Sequence, residues 1–128
     1  MKGDRMARIL VIDDNAAFRA LVRAILEAAH YAVVEAPDGR EGVRLYQTTA
    51  IDLVLTDLFM PEVDGFETMQ ALRVLTPTLP IVAITGWHGG QPWLTAALAL
   101  GADRVLPKPL RAEDLLTVVQ ALLAGAAS

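Results

Sequence analysis

Arg8-Ile9-Leu10-Val11-Ile12-Asp13-Asp14 is a short β-branched run that stops on two aspartates. Apolar residues at successive positions, without alternation, mark a strand covered on both faces, and such strands belong to parallel sheets flanked by helices. The pattern returns at Tyr31 to Ala36, Asp52 to Asp57, Pro80 to Thr85 and Arg104 to Leu106. Between the first two runs Phe18, Leu21, Val22, Ile25, Leu26 and Ala29 recur at spacings of three and four, which is one helical face, and Asp14 or Asn15 can cap its start. Pro37-Asp38-Gly39 reads as a turn before a helix near Gly42 to Thr48. Phe66, Met69, Leu72, Arg73 and Leu75 outline a third helix, with Asp64 as its cap. Pro92 suits the first turn of a fourth, which Gly101 ends, and Leu115 to Leu123 supplies the last amphipathic pattern.

Five strands, each followed by a helix, require crossover connections of one hand and therefore a parallel sheet with helices on both faces. Without a glycine-rich dinucleotide turn, the expected fold is α/β and flavodoxin-like: a doubly wound (βα)5 sheet of order 2-1-3-4-5 in three α/β/α layers. The 128 residues suit one domain, expected at 8–123 with tails at 1–7 and 124–128.

Composition excludes several functions. There is no cysteine, which removes disulfides, thiolate metal sites and cysteine nucleophiles, and His30 and His88 lie too far apart for a zinc pair. Fifteen acids against eleven bases give a net charge of -4 with no basic cluster, the wrong balance for a nucleic-acid surface. The polar start and the early Asp13-Asp14 interruption fit neither an export signal nor a membrane span, so a cytoplasmic location is expected.

In a doubly wound sheet, ligands bind beyond the carboxyl ends of the strands, near the point where strand order reverses. The polar residues there are Asp13 and Asp14 after strand one, Asp57 after strand three, Thr85 after strand four and Lys108 after strand five. Three carboxylates converging there repel unless a cation offsets them. Oxygen ligands with no histidine or cysteine point to magnesium, and Lys108 with Thr85 suits the oxygens of a phosphoryl group. The set fits phosphoryl transfer, in which a carboxylate such as Asp57 can serve as nucleophile. Asp52 and Asp103 precede their strands and read as loop residues without chemistry, Glu35 ends a strand at the sheet edge, and His88 reads as a loop residue.

The motifs Ile9-Leu10-Val11-Ile12-Asp13-Asp14-Asn15, Asp57-Leu58-Phe59-Met60-Pro61-Glu62-Val63-Asp64-Gly65, Ile84-Thr85-Gly86 and Leu106-Pro107-Lys108-Pro109-Leu110 resemble the receiver domain of bacterial two-component response regulators. The resemblance spans roughly Arg8 to Leu123. It implies that Asp57 accepts a phosphoryl group from a histidine kinase or histidine phosphotransfer protein. It also implies that Asp13, Asp14, Asp57 and the Phe59 backbone carbonyl hold Mg2+, that Thr85 and Lys108 bond the phosphoryl group, and that Lys108-Pro109 is cis. Such a chain is no enzyme toward an external substrate: it catalyses only its own phosphorylation and dephosphorylation.

Three departures accompany the likeness. Val105 stands where the family commonly carries an aromatic residue. Phe59 and Trp87 follow Asp57 and Thr85 by two positions, where bulky groups are expected to shield an acyl phosphate from water. No effector module is evident, so output is expected through a downstream protein, with the Trp87, His88, Trp93 and Leu94 region as a candidate surface and dimerisation on activation left open. Two other classes compete: an interaction module that signals without phosphorylation, and an enzyme or flavin carrier. An aspartate-nucleophile phosphatase wants its second acid two residues after the first, whereas Asp13 and Asp14 are adjacent, and a flavin phosphate loop does not suit Asp13-Asp14-Asn15.

Overall fold

The computed structural model of the chain describes residues 6–60, 65–86, 95 and 97–127. Its elements are β1 Arg8–Ile12, α1 Ala16–Ala28, β2 Ala32–Ala36, α2 Gly39–Thr48, β3 Leu53–Asp57, α3 Gly65–Leu75, β4 Ile81–Thr85, β5 Arg104–Pro107 and α4 Ala112–Ala127. The five strands are parallel and lie in the order β2-β1-β3-β4-β5, the expected flavodoxin-like arrangement. The order in which strands are added reverses between β1 and β3, which pair in parallel with Ile9 opposite Leu53 and Ile12 opposite Thr56.

Alternate strand residues feed two cores, one on each face. Ile9, Val11, Leu53, Leu55, Val82 and Ile84 pack with Val22 and Leu26 of α1 and Leu115 and Val119 of α4. Leu10, Ile12, Val54, Ile81 and Ala83 face the other way, against Met69 and Leu72 of α3 and the partly buried Val43, Leu45 and Tyr46 of α2. Strands buried on both sides explain why the apolar runs do not alternate. Among the described residues no helix is long and apolar enough to cross a membrane.

Caps set the starts of two helices. Asn15, not Asp14, caps α1, its side chain accepting from the Phe18 N–H at 3.0 Å. Asp38 accepts from the Glu41 N–H at 2.8 Å and so starts α2 at Gly39, earlier than apolar spacing alone suggests. Gly101 takes φ 119° where the helical residues 97–99 end, the conformation a C-terminal glycine permits. Residues 124–127, read from the sequence as tail, continue α4: all but Gly125 are alanine, the strongest helix former. The expectations placed on Asp64, Pro92, Trp87, His88, Trp93 and Leu94 lie outside the described residues.

At the amino ends of the strands the acids serve the backbone. Asp52 accepts from the Arg8 N–H at 2.7 Å, and Asp103 accepts from the Ile81 N–H at 2.8 Å and from Arg73 at 3.0 Å. Arg73 also bonds the carbonyls of Leu79 and Gly101, joining the loop before β4 to the loop before β5.

Candidate functional site

Asp13 follows β1 directly and Asp57 closes β3, so neighbouring strands deliver the two carboxylates side by side. Both are buried, 1% and 5% exposed, while Asp14 lies open to solvent. A carboxylate oxygen from each of Asp13, Asp14 and Asp57 falls within 4.8 Å of the others.

Lys108 reaches in from the end of β5 and is 26% exposed at its side chain. Its Nζ donates to Asp13 Oδ2 at 3.0 Å and lies 3.5 Å from Asp57 Oδ2, nearer the strand-one acid than the strand-three acid. The same ammonium sits 4.3 Å from the centroid of the Phe18 ring, a cation–π contact from the first turn of α1. The Lys108-Pro109 peptide is cis, and the Lys108 N–H donates to the Thr85 carbonyl at 2.7 Å, which ties the lysine's main chain to β4.

The other carboxylate oxygens of Asp13 and Asp57 each accept one local backbone N–H. Asp13 Oδ1 accepts from the Asn15 N–H at 2.8 Å, and Asp57 Oδ1 accepts from the Phe59 N–H at 3.2 Å. The Phe59 ring leans edge-on against Phe66, with centroids 6.5 Å apart. Thr85 stands at the rim with its hydroxyl donating to the Gly86 carbonyl at 2.8 Å rather than to a carboxylate. Gly65 opens α3 so close to the acceptor strand that a Cβ would fall 2.1 Å from the Asp57 carbonyl oxygen. Only glycine allows that approach.

Lys108 contacts two of the three acids, Asp13 and Asp57, so carboxylates outnumber the ammonium in this cluster. Burial pushes the Asp57 carboxyl above the usual range; the Phe59 N–H opposes this, the Asp13 carboxylate adds to it and Lys108 opposes it. A buried, partly compensated carboxylate beside a second buried acid and an exposed one is an oxygen-only donor set suited to a hard cation.

All five polar residues singled out at strand ends stand at the same rim: Asp13, Asp14, Asp57 and Lys108 form one cluster, and Thr85 flanks it on the neighbouring strand. Sequence reasoning missed two residues of α1. Phe18 counted only as apolar-face periodicity, yet it carries the lysine. Arg19 carried no signal at all, yet its Nη1 donates to the Asp13 carbonyl at 2.6 Å and its Nε to Glu35 at 3.0 Å. Glu35 touches none of the carboxylates; its role runs through the arginines Arg19 and Arg23.

Comparison with known proteins agrees with this geometry. The family model of the response regulator receiver domain matches residues 9–120. The response regulator MprA of Mycolicibacterium vanbaalenii is 40% identical over 116 residues, covering 91% of this chain and 50% of that protein. The transcriptional regulatory protein CpxR of Escherichia coli is 35% identical over 118 residues, covering 92% of this chain and 50% of that one. The chain thus spans about half the length of the curated relatives it matches. A receiver domain protein of Clostridium thermocellum superposes with a TM-score of 0.89 at 30% identity, covering 95% of this chain and 98% of that one. The Vibrio cholerae chemotaxis protein CheY4 gives 0.86 at 32% identity, covering 92% and 99%. With strand order, acidic cluster and family match in agreement, the chain belongs to the response regulator receiver domain family.

Proposed function

We propose that this chain is a phosphorylation switch in which Asp57 accepts a phosphoryl group from a histidine kinase or histidine phosphotransfer protein, in a magnesium-dependent reaction. The observation that carries the reading is Asp57 itself: a buried carboxylate, 3.5 Å from the Lys108 ammonium and clustered with Asp13 and Asp14.

In the transfer, an Asp57 carboxylate oxygen attacks phosphorus, the new O–P bond forms, and the donor's P–N bond breaks with the imidazole as leaving group. Asp13, Asp14, Asp57 and the Phe59 carbonyl would hold magnesium, which supplies charge neutralisation at the phosphoryl oxygens. Lys108 pairs with one of those oxygens, exchanging its resting contact with Asp13 for the stronger new charge. Thr85 releases the Gly86 carbonyl and donates to another. The reaction ends on the protein's own side chain, so the chain turns over no external substrate beyond gaining and losing this group.

Motion of Thr85 and Lys108 toward the phosphoryl group then biases the surface around β4 and β5, and the output is altered binding to a downstream protein. A phosphorylation-independent interaction module is the second reading, and Val105 favours it: a half-buried valine packed on the second core offers no aromatic ring to reorient. Intact-mass measurement after treatment with magnesium and a small phosphodonor separates the two. The wild type gains one acid-stable, base-labile phosphoryl adduct and Asp57→Asn gains none; a wild type without an adduct selects the interaction module.

A further inference from the structure

The three carboxylates differ in how they are held. Asp13 is fixed by the Asn15 N–H and Lys108, and Asp57 by the Phe59 N–H and Lys108. The exposed Asp14 takes no hydrogen bond or ion pair from any described residue, so its position follows from its main chain. That main chain is one planar peptide unit running from the Asp13 carbonyl to the Asp14 Cα. The Asp13 carbonyl accepts the Arg19 Nη1 at 2.6 Å, and the Arg19 side chain is only 16% exposed.

Arg19 is itself locked. Its Nε donates to Glu35 Oε1 at 3.0 Å, and Glu35 Oε2 accepts from Arg23 at 2.6 Å. Arg23 reaches on to the Val33 carbonyl at 3.1 Å and to Glu27 at 3.1 Å. Burial raises the Glu35 carboxyl, but its bonds from Arg23 and Arg19 outweigh burial and hold it below the ordinary range, so it stays ionised. A planar guanidinium bridging a carboxylate and a carbonyl has little freedom left.

We infer that Arg19, braced by Glu35, is a positioning residue for the metal end of the site, fixing the Asp13–Asp14 peptide from which the exposed carboxylate projects. The inference rests on the proposed magnesium site. It has a sign that separates it from simple electrostatics. Removing a cation beside three carboxylates should tighten magnesium binding by Coulomb attraction. Loosening the peptide that aims a ligand should weaken it, as lost outer-shell partners do.

Magnesium binding by the whole chain, measured by calorimetry with no phosphodonor present, decides between them. Arg19→Gln should raise the dissociation constant by on the order of tenfold. Arg19→Lys keeps the charge but replaces the rigid two-nitrogen fork that spans Glu35 and the carbonyl with one flexible ammonium, and it should still weaken binding severalfold. It carries the test if Arg19→Gln does not fold. In both variants excess magnesium should restore the phosphorylation rate to near the wild-type value, a split that general loss of structure would not give. Unchanged or tighter binding in Arg19→Gln, or unchanged binding in Arg19→Lys, overturns the inference while the proposed function stands. A wild type that binds no magnesium overturns the reading beneath both.

Discussion

Asp52 and Asp103 lie at the amino ends of their strands, Asp13, Asp14 and Asp57 at the carboxyl ends, and the two groups are compensated in different ways. At the amino ends each acid meets a backbone N–H, at 2.7 and 2.8 Å, and Asp103 meets Arg73 as well. At the carboxyl ends two of three clustered acids, Asp13 and Asp57, share Lys108. The first arrangement closes loops onto the sheet. The second gathers two buried acids and one exposed acid, an arrangement that a hard cation can offset. The contrast separates acids bonded to the backbone from the acids that the proposed function uses, within a single sheet.

Removing the ammonium that Asp13 and Asp57 share should have the largest effect. Lys108→Ala is expected to slow phosphorylation by a small phosphodonor on the order of a hundredfold, followed as a time course of intact mass. A wild-type rate would place the charge compensation elsewhere. At the opposite end, Asp103→Ala should cost about 1–3 kcal/mol in urea unfolding, because the buried Ile81 N–H loses its acceptor. Its phosphorylation rate should stay at the wild-type value, and a matching loss of rate would erase the distinction between the two ends.

The pH dependence follows from Asp57. Its folded pKa is raised, chiefly by burial, so the folded chain holds that proton more tightly than the unfolded chain does. Without metal, its contribution therefore favours folding at low pH and fades as pH rises from about 4, the ordinary aspartate value, through the raised one. Asp57→Asn should remove that slope from denaturant midpoints measured across the same window. Glu35 contributes with the opposite sign, since its lowered pKa gives stability that is lost as pH falls through the folded value. The smallest effect expected is on acyl-phosphate lifetime: Phe59→Asn should hydrolyse severalfold faster, as expected if the bulky side chain two residues after Asp57 limits the approach of water. An unchanged lifetime removes the shielding role.

The reactive end was more legible in the sequence than the residues that hold it. Strand ends are local features, so Asp13, Asp14, Asp57, Thr85 and Lys108 could be placed at one rim from apolar runs and the strand order alone. Phe18 and Arg19 depend on the rotation of α1 about its axis relative to the turn before it. Periodicity gives the buried face of a helix but not which neighbours of that face meet a lysine from β5 or a carbonyl from β1. The early start of α2 needed a capping aspartate to outweigh two glycines, and the extension of α4 needed alanines to outweigh one. In both cases local chemistry decided a boundary that apolar spacing could not.

In the proposed function the carboxyl end of the sheet receives a phosphoryl group on Asp57 with magnesium bound beside it. Peptide mapping of the chain after phosphodonor treatment, with magnesium and with a chelator in its place, tests it most directly. A single base-labile adduct on Asp57 that forms only with magnesium is the expected result. An adduct on another residue, or one that forms equally well in chelator, would contradict it.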